Sequence, residues 1–158
     1  MNNDFDFFAG TWDVSNRWLT DFLDADSEWE EFPGFSRATR HFDGAASFDE
    51  IEFPTKGFAG LTLRLHDPER DQWTLNWASR RTGTLFPAVA GRFDPTSGTG
   101  VFEGEDTYGG KTVQVRFVWS RTDTDSPRWE QFFSPDEGAT WVHNWTMNFT
   151  RAATTTKI

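Results

Sequence analysis

Two side chains in the C-terminal third of the chain are of the types that acid–base chemistry needs. His143 lies in the alternating run Trp141-His143-Trp145-Met147-Phe149, and a neutral imidazole among apolar groups gives or takes a proton near neutral pH. Glu130 lies between Trp129 and Phe132, and a carboxyl held among rings has a raised pKa. As a pair they are candidate catalytic groups. Trp77, Tyr108, Arg116, Phe132, Trp141, Trp145 and Met147 are the candidate ligand contacts. Each candidate also has a structural reading. His143 can be a core histidine bonded to a neighbouring strand. Glu130 can pair with an interior Arg116 or Arg17. Arg116 alternates with Val115 and Phe117 and can face solvent. Glu103, Glu105 and Asp106 end a segment, where acids are usually solvated. Tyr108, the sole tyrosine, can donate to a ligand carbonyl or simply decorate its turn.

Other chemistries have little support. The chain has no cysteine, which excludes disulfides, thiolate catalysis and zinc–thiolate sites within it. There is no Gly-x-Ser-x-Gly elbow, phosphate-binding glycine loop or His-Glu-x-x-His. His41, His66 and His143 are too dispersed for a metal motif, so neither a metal nor another cofactor is expected. The net charge of −10 argues against nucleic acid and anionic membranes, which need concentrated Lys and Arg. The N-terminus lacks the form of a signal peptide, and no apolar run approaches the roughly 20 residues of a spanning helix. The expectation is a cytoplasmic protein.

The elements that must position these residues are short strands. Turn signals recur at Asp43-Gly44, Pro54 to Gly57, Asp67-Pro68, Arg81 to Gly83, Asp94 to Gly98, Gly109-Gly110, Asp123 to Pro127 and Pro135 to Gly138. Alternation between them predicts strands over 11–19, 28–42, 47–53, 58–66, 72–79, 84–93, 100–107, 111–121, 128–134 and 140–151, about ten in all. Pro33-Gly34 predicts a bulge or break in the second. Seventeen Phe and nine Trp imply an interior walled by large rings.

Ten hairpin-linked strands predict an all-β, up-and-down antiparallel barrel, because closure removes exposed edges; a β-sandwich is the alternative. One domain spans 1–151, with a frayed tail at 152–158. An even strand count returns the last strand to the rim where the first begins. Trp12 and Arg151 should therefore meet and close that rim. The turns at 20–27, 54–57, 80–83, 107–110 and 134–139 then form the opposite rim, where a mouth would lie.

The ordered set Phe5 to Trp12 with Arg17, Trp73 to Trp77, Gly91 to Phe93, Gly100 to Gly104, Arg128 to Gln131, Asp136 to Trp141 and Trp145 to Arg151 resembles the calycin superfamily, which includes lipocalins and fatty-acid-binding proteins. It is most similar to an uncharacterised bacterial family of calycin-like proteins, the DUF1579 type. The resemblance covers nearly the whole chain. It implies a barrel with a short N-terminal helical turn and one internal pocket, and no particular reaction. It also brings in haem with His143 as axial ligand, which only this one residue supports.

The first expectation for function is a protein that binds a hydrophobic small molecule in an aromatic-lined cavity. The alternative is a cofactor-independent cyclase or isomerase acting on a polyene or polyketide-like intermediate. His143 and Glu130 would move the protons there, and the pocket would position the substrate. A third reading is a homodimeric module whose aromatics cover an interface.

Overall fold

The computed structural model describes residues 3–152; the expected fraying at 153–158 lies outside them. Eleven strands form one antiparallel sheet. They are β1 (Gly10–Leu19), β2 (Trp29–His41), β3 (Ala46–Phe53), β4 (Phe58–Asp67), β5 (Gln72–Ser79), β6 (Thr84–Leu85), β7 (Val89–Phe93), β8 (Gly100–Tyr108), β9 (Lys111–Ser120), β10 (Arg128–Ser134) and β11 (Val142–Arg151). β1 pairs with β11, and β5 pairs with both β4 and β7, so ten strands close into a barrel and β6 is an extra strand on β5. The up-and-down barrel is as expected, with two local differences. Phe86-Pro87-Ala88 divides the single strand expected over 84–93. β2 runs unbroken through Pro33-Gly34. β3 pairs with β2 only from Phe35 onward, so Pro33 sits where a partner is present on one side alone, and its missing N–H is tolerated there.

The closing seam carries the expected contact. Trp12 is opposite Arg151, and the guanidinium lies 3.9 Å from the Trp12 ring centroid. It also donates from Nη1 to the Ala9 carbonyl at 2.6 Å and from Nη2 to the Phe7 carbonyl at 3.1 Å. Gly10 has φ +125°, and a Cβ there would overlap Arg151 Nη1. The backbone therefore favours glycine, and a side chain there would have to displace the Arg151 guanidinium from its contacts. Beneath this seam the 3-10 turn Asp6–Phe8 plugs the barrel. Phe5 and Phe8 pack edge-on against Trp73 and Trp119. The Trp12 indole N–H donates to the Phe8 carbonyl at 2.8 Å, and that of Trp73 to Asp4 at 3.0 Å. Trp12, Trp73, Trp119 and Phe8 are almost fully buried. This end is a solid aromatic floor.

Candidate functional site in the barrel lumen

The open rim is built from the turns that alternation placed there. Two chambers lie below it. The upper one, of about 350 Å³, is bounded by Trp18, Phe22, Phe58, Arg81, Tyr108 and Phe133, among others. The lower one, of about 80 Å³, reaches Phe8, Trp119, Trp129, Met147 and Phe149. They share Leu75, Trp77, Phe117, Gln131 and Trp145, which form a waist between them. Trp77 owes its place to Gly60 on the facing strand. A Cβ at Gly60 would overlap the indole ring, so the missing side chain is what lets the ring lie flat inside the wall.

The β1–β2 loop folds over the upper chamber. The Phe22 ring stacks on Tyr108 at 5.6 Å and meets Phe133 edge-on. The Phe22 backbone N–H donates to Tyr108 Oη at 3.1 Å, and Asn144 donates to the Phe22 carbonyl at 3.2 Å. Tyr108 is thus a latch for this loop, and its ring stays part of the chamber wall. Arg81, from the segment between β5 and β6, lies 4.4 Å over the Phe58 ring on the other side of the mouth.

Of the residues singled out in the sequence, Trp77, Tyr108, Trp145 and Met147 line the chambers. His143, Glu130, Phe132, Arg116 and Trp141 do not; they occupy the outer wall. On β10, Trp129, Gln131 and Phe133 face inward, so Glu130 and Phe132 face outward by alternation. The same parity on β9 turns Arg116 outward beside the inward Val115 and Phe117. For His143 the cause is a β-bulge. Gln131 is opposite Trp145 but Phe132 is opposite His143, so Asn144 is the extra residue. Asn144 and Trp145 are both buried, and the inward phase of Trp145, Met147 and Phe149 is lost at His143. The expected inward face of the last strand therefore holds for Trp145, Met147 and Phe149 and is corrected at Trp141 and His143.

These outward residues form a cluster of their own. His143 Nε2 is 3.3 Å from Glu130 and 2.8 Å from Thr146 Oγ1. Its ring stacks on Phe132 at 4.8 Å. Arg116 lies 4.0 Å over Trp141 and pairs with Glu103 across β8 and β9. Partial burial holds the His143 pKa below its ordinary value, against the opposing pull of the Glu130 charge.

Several polar groups not singled out in the sequence face the lumen. Asp49 on β3 and Arg64 on β4 line the lower chamber, with side chains 4 and 5% exposed and Asp49 Oδ1 2.7 Å from Arg64 Nη1. Ser47 accepts from Arg64 at 3.3 Å, and Ser36 donates to Asp49 at 3.4 Å. The guanidinium carbon is 5.0 Å from the Phe8 ring centroid and 5.3 Å from that of Phe5. Burial pushes the Asp49 carboxyl up, and Arg64 opposes the rise. Gln131 donates to Asn144 at 3.0 Å, and the Trp145 indole donates to Asn16 at 3.0 Å. Asp49 was detectable, because it is in phase with Ile51 and Phe53.

Among the described residues, no group of three or more His, Cys, Asp or Glu is arranged to hold a metal ion, and no helix is long and apolar enough to cross a membrane. No family model matches the chain, and no curated protein matches it significantly. The closed ten-strand antiparallel barrel is consistent with a calycin-like fold.

Proposed function

We propose that the barrel binds a hydrophobic small molecule, admitted at the Tyr108 rim and held at the Trp77–Trp145 waist. The observation that carries this reading is the succession of two chambers sharing one aromatic waist above a sealed floor. Their walls are mostly rings and aliphatic chains with a few polar groups, the usual composition of a small-molecule site. A protein needing only a stable core would fill such space with side chains.

Titration of intrinsic tryptophan fluorescence tests the reading, since Trp18, Trp77, Trp119, Trp129 and Trp145 border the chambers. Apolar ligands should quench or shift the emission in a saturable way. A flat response across a broad apolar panel would remove the proposal.

A further inference from the structure

We propose that Asp49 and Arg64 form the polar anchor of the lumen, and that the ligand carries an uncharged oxygen head group, a ketone, aldehyde or alcohol, on an apolar body. The inference rests on the ligand-binding reading above and specifies its chemistry. Both side chains line the lower chamber, the deepest part of the lumen. Asp49 is held by Arg64 Nη1 at 2.7 Å and by the Ser36 hydroxyl. Arg64 Nε–H, by contrast, is buried with no hydrogen-bond partner. Buried polar atoms left unpaired are costly and uncommon.

A purely structural role explains less. A buried ion pair stabilises a fold no better than apolar residues of equal volume. That role also leaves the free Nε–H without a purpose.

The charge of the site selects among ligands. Arg64 and Asp49 neutralise one another, and rings of Phe5, Phe8 and Trp119 surround the guanidinium. A carboxylate ligand would bring a second anion beside Asp49 in a dry site, inside a chain of net charge −10. An ammonium ligand would meet Arg64. An uncharged oxygen accepts from Nε–H with no unbalanced charge, and an alcohol can also donate to Asp49. The apolar body then extends upward past Trp77 and Trp145 into the upper chamber.

Three probes of equal carbon count test this on the full chain: octane, methyl hexyl ketone and ionised octanoate, each followed by tryptophan fluorescence. The ketone should bind about tenfold tighter than octane, as expected for one hydrogen bond to a charged donor, and octanoate should bind weakest. The double variant Asp49→Leu/Arg64→Met should lose the ketone preference, binding octane and the ketone with equal affinity. In wild-type protein the carbonyl stretch of the bound ketone should lie at lower wavenumber than in alkane solvent. That band decides the matter even if the double variant does not fold. Equal affinity for octane and ketone, tightest binding of octanoate, a preference that survives in the double variant or an unshifted carbonyl band would each overturn the anchor while leaving the pocket. Failure of all three probes to bind would overturn both.

Discussion

Gly10→Ala is the sharpest probe of the closed end. Gly10 has φ +125°, and the space a Cβ would take is held by Arg151 Nη1. Adopting that backbone with a side chain costs on the order of 1–3 kcal/mol. The Cβ also pushes the guanidinium off the Ala9 and Phe7 carbonyls and off the Trp12 ring. Arg151 is exposed, so this second loss falls at the low end for charged hydrogen bonds, and the total is about 3 kcal/mol. Gly83→Ala is the matched control. Gly83 also has positive φ, +67°, but nothing lies within 4 Å of its Cβ position, so only the left-handed backbone penalty of roughly 1–2 kcal/mol applies. Urea unfolding at unchanged slope reads both values. Equal costs for the two substitutions would refute the seam argument. Loss of ligand binding in a stable Gly10→Ala protein would place the mouth at the wrong end.

Other perturbations follow from the same geometry. Arg64→Met alone strands a buried carboxylate and should cost about 3–5 kcal/mol, whereas Asp49→Leu/Arg64→Met should cost much less; a cycle of denaturant unfolding measures the coupling, and simple additivity would contradict the buried pair. His143 should titrate below its ordinary pKa by NMR, and Glu130→Gln should lower it further by removing the charge that favours imidazolium; a rise in the variant would contradict the 3.3 Å contact. Because that folded-state pKa is depressed, the neutral ring's contribution to stability is present above the ordinary histidine pKa and is lost as pH falls through the lowered value. Asp136 accepts from Ser134, from the Thr140 hydroxyl and from the Thr140 backbone N–H, which holds its pKa down at about 2. Its stabilising share is therefore present above the ordinary carboxylate pKa and is lost as pH falls below it through the lowered value of about 2. Asp136→Asn should flatten this acid limb of the pH–stability curve, and an unchanged limb would contradict the role of these hydrogen bonds.

The barrel was legible in the sequence because its signals are local and repeated. Turn residues at hairpin spacing set the strands, and parity alone placed Arg151 on Trp12. The inner surface was less legible, for two physical reasons. On β4 the leucines alternate as though they faced the core, yet Leu61 and Leu63 are 40 and 38% exposed. Gly60, Thr62 and Arg64 take the inward phase instead, because the Trp77 ring needs the space at Gly60 and Asp49 needs a cation. On β11 one extra residue, Asn144, reverses the phase between His143 and Trp145. A run of alternating apolar residues gives no sign of such a bulge. The extra residue is held by hydrogen bonds to Gln131 and to the Phe22 carbonyl, contacts between distant parts of the chain.

A crystal structure grown with methyl hexyl ketone shows whether ligand occupies the lumen. Density is expected between Trp77 and Trp145, with the ketone oxygen beside Arg64. Ligand bound instead on the outer wall beside His143 and Glu130, with side chains filling the lumen, would contradict binding in the lumen.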